Sequence, residues 1–221
     1  MKRLLFIGFL IFIMKASILH CEIFSNSNSI TIGFGAYYPS LDYWKDESII
    51  SNWDQKFGGN LMVDVNIKIK PFSRLTLSIG TGLWHESISQ NNVWFGDEYG
   101  KEALTLRFVP VTFNGYYYIL QHTLPIRPYL GAGMGINFIE KSAFRERNNK
   151  YEKDIDHGKD HFSQFTIGLE KNLFPGMMIN LEARYILGLY IQQEKGFGNK
   201  IIDKTVSVEG FQILLLFTFR V

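Results

Sequence analysis

The chain has 221 residues, of which 46% are hydrophobic and 15% aromatic, so it is long enough to form one domain with a large buried core. Its formal net charge is only +2, and three basic residues, Lys2, Arg3 and Lys15, belong to the N-terminal leader. The rest of the chain lacks the basic surface that nucleic-acid binding requires, and we expect no nucleic-acid partner.

The first segment, residues 1–21, has the features of a secretory signal peptide. Lys2 and Arg3 precede an apolar run from Leu4 to Met14, which is typical of a signal sequence and too short to cross a bilayer as a helix. We therefore predict export, with cleavage between Ala16 and Glu22. Residues 22–221 are then the mature domain.

Cys21 is the only cysteine, so an intramolecular disulfide is excluded. An alternative is that Cys21 becomes the lipidated first residue of the mature chain. That signal usually has a small residue directly before the cysteine, whereas this chain has His20. We favour the simpler interpretation, in which Cys21 is lost with the signal or lies next to it.

After the leader, apolar and polar residues alternate with a period of two, which is typical of β-strands, and no segment has a convincing helical period. The alternation predicts about eight strands of roughly nine to twelve residues, long enough to cross a hydrocarbon core when tilted. In the last strand, Leu214 and Leu216 fall on the inward-facing side. The outward apolar sets begin at Ile30, Val63, Leu75, Leu104, Leu130, Phe165, Ile179 and Phe211.

The connections between the predicted strands alternate between long and short. The long ones are Pro39 to Gly59, Glu86 to Glu102, Lys141 to His161 and the moderate Gln192 to Lys204; the short ones are KPFSR, ILQHTLPIR and KNLFPG. Up-and-down topology places alternate connections at opposite ends, and outer-membrane barrels have short periplasmic turns and longer outward loops. The sequence therefore predicts an all-β fold, an eight-stranded antiparallel up-and-down transmembrane β-barrel in the outer membrane of a diderm bacterium.

A soluble lipocalin-like barrel, with its apolar face inward, is the main alternative fold. It would leave the glycines of the strands on a water-facing surface, and it would not explain why long and short connections alternate. We therefore favour the membrane barrel.

The inward-facing positions combine small and ionic residues, as the narrow lumen of an eight-stranded barrel requires. The predicted small inward positions are Gly33, Gly35, Gly131, Gly133 and Gly135. The predicted interior charges are Asp64, Lys68, Arg107, Glu170, Glu182 and Arg184. Three acids and three bases permit a paired structural network, although some of these side chains could instead be hydrated near the mouth.

Two further patterns are compatible with the barrel. Pro110 cannot donate to a strand ladder, and Phe108 before it and Val111 after it share the outward face only if the strand bulges there. Aromatic residues gather near the strand ends, which suits two interfacial girdles. They are Tyr37, Tyr38, Trp84, Tyr116, Tyr117, Tyr118, Tyr129, Phe162 and Tyr190.

The segment VPVTFNGYYYILQHTLPIRPYLGAGMGINF, Val109 to Phe138, resembles the middle of the small outer-membrane β-barrel proteins related to the OmpA transmembrane domain and to the opacity and OmpX-like porin family. The shared features are a Val-Pro-Val strand, a Tyr-rich end and a Pro-Tyr-x-Gly-x-Gly-x-Gly strand. Phe217 and Phe219 also resemble the family's C-terminal insertion signal, although the chain ends at Val221 instead of an aromatic residue. The resemblance implies a fold more than a function.

Two clusters could carry chemistry, and we expect neither to do so. WHES places His85 and Ser87 two residues apart on the outward face of one strand end, as a base and nucleophile would need, but no orienting acid is identifiable. DIDHGKDH crowds carboxylates and imidazoles into one loop, yet its spacing matches no metal motif. The members of that loop cluster are Asp154, Asp156, His157, Asp160 and His161. We predict no enzyme activity, no metal and no other cofactor.

The long outward connections are the predicted functional surface. They carry Trp44, Trp53, Trp94 and dense charge, which suit contacts with an extracellular protein or another surface ligand, while outer-membrane lipid surrounds the barrel. The sequence thus predicts a structural or surface-interaction barrel with a filled lumen. The alternative is a narrow channel for small solutes or apolar molecules, and a lipid-modifying enzyme is a more distant one.

Overall fold

A computed structural model describes residues 28–40, 59–95, 98–120, 125–147, 150–195 and 201–221. The predicted leader with Cys21, and the connection that carries Trp44 and Trp53, lie outside the described residues. The signal peptide and its cleavage site therefore stay predictions. Among the described residues, no helix is long and apolar enough to cross a bilayer.

The described chain consists of β-strands joined by turns. The strands are β1 (Asn28–Pro39), β2 (Asn60–Phe72), β3 (Leu75–Phe95), β4 (Glu98–Tyr118), β5 (Ile126–Arg147), β6 (Lys150–Phe174), β7 (Met177–Lys195), β8 (Ile201–Ser207) and β9 (Gly210–Arg220). Each strand from β1 to β7 pairs antiparallel with the next in sequence, and β9 pairs with both β7 and β1. The sheet is therefore closed, with no free edge among the barrel strands.

β8 and β9 together form the eighth strand of the barrel. β8 pairs with Leu189–Lys195 of β7, and β9 pairs with Met177–Ile186 of the same strand. The interruption at Val208 and Glu209 is bridged by a hydrogen bond of 3.1 Å from the Val208 N–H to the Gly188 carbonyl oxygen. The predicted fold, an eight-stranded antiparallel up-and-down β-barrel, is confirmed.

The outer face of the barrel carries a continuous belt of exposed apolar side chains. We call these residues the apolar belt: Ile30, Ile32, Phe34, Val65, Ile67, Ile69, Ile79, Leu83, Val111, Phe113, Tyr117, Leu130, Met134, Phe138, Phe165, Ile167, Leu169, Leu181, Tyr185, Leu187, Phe211, Ile213, Leu215 and Phe219. An exposed belt of this kind faces acyl chains in transmembrane barrels. It contradicts the lipocalin-like alternative, which needs the apolar face inside.

The strands β3 to β7 have 19 to 25 residues each and continue beyond the apolar belt. The predicted lengths were therefore too short, and most of Glu86 to Glu102 and Lys141 to His161 is paired strand instead of loop. Strand pairing satisfies backbone groups whatever the side chains are. The polar extensions therefore pair without the apolar alternation that identified the belt.

The short turns lie at the opposite end of the barrel. β2 and β3 are joined at residues 73–74, and β6 and β7 at residues 175–176, where Gly176 has a positive φ of 87°. Glycine adopts this conformation at little cost. Because outer-membrane barrels place their short turns in the periplasm, we interpret this end as the periplasmic one.

The predicted bulge at Pro110 is wrong. β4 pairs with β5 in unbroken register through Pro110↔Asn137, and the parity of β4 does not change. Phe108, Leu106 and Leu104 are buried inside the barrel instead of facing outward. Above the belt, the inward face of β4 is the apolar one.

Candidate functional site

The interior of the barrel is divided into two layers of side chains. The half nearer the short turns is lined by charged and polar groups, and the half nearer the strand extensions is lined by apolar and aromatic groups. We refer to them as the polar layer and the apolar layer. Both are built by alternate residues of the strands, because successive side chains point to opposite faces of a sheet.

Glu182 on β7 is at the centre of the polar layer and is fully buried. Its carboxylate accepts hydrogen bonds from Arg184 Nε at 2.7 Å and from the Tyr129 hydroxyl at 2.7 Å, and Lys68 Nζ lies 3.9 Å away. Arg184 also contacts Asp64, with 2.7 Å between Nη1 and Oδ2. Such a paired and hydrogen-bonded set is the arrangement in which buried charge is tolerated.

A second ionic pair lies closer to the short turns. Arg127 on β5 forms a buried salt bridge with Glu170 on β6. The same carboxylate accepts a hydrogen bond of 2.8 Å from the Tyr118 hydroxyl and one of 3.3 Å from Asn180 Nδ2. This carboxylate is therefore also satisfied from several strands.

Arg107 does not belong to this network, and that part of the sequence interpretation is wrong. Its side chain is 49% exposed on the outer face of β4, 4.0 Å from Glu140 on the neighbouring strand. Arg127, which the sequence analysis did not include, is the third base of the interior network. The other five predicted charges, Asp64, Lys68, Glu170, Glu182 and Arg184, lie inside, so with Arg127 the polar layer contains three acids and three bases.

The five predicted small positions also face inward, and each gives room to a neighbouring group. A Cβ at Gly131 would meet the Tyr116 ring, one at Gly133 would meet the Asn114 side-chain oxygen, and one at Gly135 would meet the Phe162 ring. In β1, a Cβ at Gly33 would meet Leu216, and one at Gly35 would meet the Ile213 carbonyl oxygen. The glycine strands therefore accommodate the large side chains of the strands beside them.

The apolar layer closes the lumen above the polar one. Its largest rings belong to Tyr37, Trp84 and Phe108, with centroid distances of 5.7 Å for Tyr37–Trp84 and 4.8 Å for Trp84–Phe108. The other members are Met62, Ile88, Leu104, Leu106, Ile139, Phe162, Ile186, Val208, Leu214 and Leu216. Where the two layers meet, the space left is a cavity of about 10 Å³, roughly one water molecule.

The aromatic residues therefore fill the lumen more than they form girdles. Tyr37, Trp84, Tyr116, Tyr118, Tyr129 and Phe162 are all buried inside, which corrects their predicted interfacial positions. Tyr38 and Tyr117 do face outward, with 52% and 51% of their surface exposed. The side chain of Tyr190 lies outside the described part of the chain.

Strand alternation keeps the first candidate cluster on one face and divides the second. His85 and Ser87 both face outward just beyond the apolar belt, and the Ser87 hydroxyl lies 3.0 Å from the Thr105 hydroxyl. On β6, Asp160 points inward and is buried, while His157 and His161 point outward. Among the described residues, no three His, Cys, Asp or Glu side chains lie close enough to hold a metal ion.

Asp160 is the one described acid of this loop cluster that enters the barrel. It lies opposite Asn137 on β5, next to the belt residue Phe138, and its side chain is buried. It is therefore an acid of the barrel interior, apart from the two outward-facing histidines.

Comparison with known proteins agrees with this architecture. Residues 95–185 match the model of a family described as surface antigen. The barrel is similar to the outer-membrane protein OprG from Pseudomonas aeruginosa, with 13% identity, a TM-score of 0.53, and coverage of 88% of this chain and 96% of that one. It is also similar to a major outer membrane protein from Thermus thermophilus, with 12% identity, a TM-score of 0.55, and coverage of 89% and 100%. No curated protein matches the chain in sequence.

Gly133→Ala is expected to destabilise the barrel. The new methyl group would overlap the Asn114 side chain and lie against the Phe113 carbonyl, so we expect a loss of about 1–3 kcal/mol of unfolding free energy. Gly115→Ala is the matched control, because the nearest atom to its Cβ is 3.8 Å away. Urea unfolding in lipid vesicles, followed by tryptophan fluorescence, measures both; equal stability of the two variants would contradict the packing argument.

Arg184→Met tests the polar layer against the outer surface. It leaves Asp64 and Glu182 buried without their shared cation, and we expect a loss of about 3–5 kcal/mol. Arg107→Met removes an arginine from an exposed pair and should cost less than about 1 kcal/mol. The same unfolding measurement would contradict the assignment if Arg107→Met were the more destabilising change.

Proposed function

We propose that the chain, a small β-barrel of the outer membrane, is a surface-interaction protein that presents paired strand extensions outside the cell and keeps its lumen closed. The observation that carries the proposal is the length of β3 to β7, which exceeds what the apolar belt requires. These strands lift a folded surface away from the membrane. The contact residues are then held by strand pairing and not by loops alone.

The outward face of the extensions differs from the apolar belt beneath it. Just above Leu83 and Phe138 the exposed residues become polar and charged, including His85, Arg107 and Lys159. Farther from the membrane, the ring centroids of Tyr151 and Phe144 lie 5.9 Å apart. Aromatic and charged groups on a supported surface suit recognition of a protein or another surface ligand. The family description, surface antigen, supports a surface position.

The closed lumen favours this role over the alternative of a channel. Ions crossing the barrel would have to pass the Tyr37, Trp84 and Phe108 rings and then the Glu182 network, where the interior cavity holds about 10 Å³. Open aqueous pores need about sixteen strands, because a barrel of eight is filled by its side chains. A narrow channel would need the apolar layer to move.

Surface labelling tests the orientation. In a chain with Cys21→Ser, Lys153→Cys on the exposed part of β6 should react with a membrane-impermeant maleimide on intact cells. Arg74→Cys, in an exposed short turn, is the matched control and should react only after the outer membrane is permeabilised. Labelling at position 74 but not at 153 on intact cells would invert the proposed orientation.

Planar-bilayer recording separates the interaction protein from the channel. The refolded chain is expected to give no reproducible unitary conductance, because both layers of the lumen are packed. Parallel recordings use the Lys153→Cys chain with a fluorophore attached to the new cysteine, and its fluorescence shows that the protein enters the membranes. Regular conductance steps from the wild-type chain would favour the channel and defeat the closed-lumen part of the proposal.

A further inference from the structure

A second cavity opens at the periplasmic end of the barrel, below the polar layer. It has a volume of about 210 Å³, about twenty times that of the cavity between the layers. Its charged lining residues are Lys68, Lys70, Arg127, Arg220 and Glu170. We call it the periplasmic vestibule. Its cations outnumber its single acid by four to one.

The interior network does not neutralise all of this charge. The three acids of the polar layer, Asp64, Glu170 and Glu182, are matched by Lys68, Arg127 and Arg184. Lys70 and Arg220 then remain, and within the described residues neither has a carboxylate within 4.0 Å. The vestibule therefore carries an excess of two positive charges.

The two remaining cations are held near each other by the fold. The pairing of β2 with β3 shifts register between Ile69 and Phe72, and Lys70 lies in this irregular stretch. Arg220 is fixed at the end of β9 by a backbone hydrogen bond of 2.9 Å from its N–H to the Gly176 carbonyl oxygen. Both Arg127 and Arg220 repel the Lys70 ammonium group electrostatically. Like charges kept together in this way favour binding of an anion between them.

The walls of the vestibule supply neutral donors and a flat surface. Ser29 and Thr76 contribute hydroxyl groups, while the Thr218 hydroxyl lines the same wall but donates to Asn180 Oδ1 at 3.4 Å. The Tyr118 ring lies beneath two of the cations, 5.8 Å from Lys70 Nζ and 4.9 Å from Arg127 Cζ. Guanidinium, ammonium and hydroxyl donors that approach from different sides match a tetrahedral oxyanion with two charges.

We propose that the periplasmic vestibule binds a phosphate group, with Lys70 and Arg220 as its charged ligands. The two unmatched cations complement the two charges of inorganic phosphate or a phosphate monoester, and either cation can pair with the single charge of a phospholipid phosphodiester. The group can come from a soluble phosphate in the periplasm or from the headgroup of an inner-leaflet phospholipid, because the vestibule opens at that surface. This site is separate from the outward surface of the extensions, so it does not depend on the surface-interaction role.

NMR titration of the wild-type barrel tests the site with two kinds of probe. Inorganic phosphate and glycerol 3-phosphate are added to protein in zwitterionic micelles, and phosphatidylglycerol is added to protein in phosphatidylcholine nanodiscs. Saturable shifts are expected at the backbone amides of Ser29, Thr76 and Thr218, which line the vestibule. Shifts with the soluble probes assign a periplasmic source, and shifts with phosphatidylglycerol alone assign a lipid source.

A pair of double variants gives the control. Lys70→Gln with Arg220→Gln should weaken binding about tenfold or more, because it removes both unmatched charges. Arg74→Gln with Lys171→Gln removes two exposed cations near the same end that do not line the vestibule, and should leave the affinity unchanged. Equal weakening by both pairs would mean general charge screening and would overturn the proposal. The absence of saturable shifts with every probe would overturn it as well.

Discussion

The width of an eight-stranded barrel is the constraint on which the rest of the structure depends. Closure of β9 onto β1 satisfies the backbone, but it leaves a lumen wide enough only for side chains. A buried inward charge must then find its partners within the same chain. Glu182 does so with Arg184, Tyr129 and Lys68, and a missing partner would leave charge buried without compensation.

The same width explains the distribution of glycine. Large inward residues such as Tyr116 and Phe162 fit only where the facing strand has no side chain, at Gly131 and Gly135. The entropic cost of glycine in a strand is offset by the packing of these rings. The alternate glycines therefore provide the space that the buried aromatic rings occupy.

The sequence was a good guide to the part of the barrel that faces lipid and a poor one beyond it. Within the apolar belt, outward residues are apolar and most inward ones are polar or small, so the positions of Leu181 and Glu182 follow from alternation alone. Above the belt, water replaces lipid outside the barrel while the lumen is still packed. The apolar residues of a strand therefore mark its inward face there, instead of its outward face. Leu104, Leu106 and Phe108 then face inward, and Arg107 faces outward, in a strand of unchanged register.

That inversion accounts for the misplaced arginine and for the bulge that is absent. The apolar residues of a strand can switch from even to odd positions for two reasons: an extra residue in the strand, or a change of the solvent outside it. The sequence around Pro110 does not distinguish these two causes. Arg127 could have been identified, since it shares the parity of Tyr129 and Gly131 in an unbroken strand. Which acid it meets depends on the register of β5 with β6, and alternation says nothing about register between strands.

The two ends of the barrel differ in how the lumen is filled. At the extensions a packed apolar layer is surrounded by water, and at the short turns unmatched cations surround an open cavity.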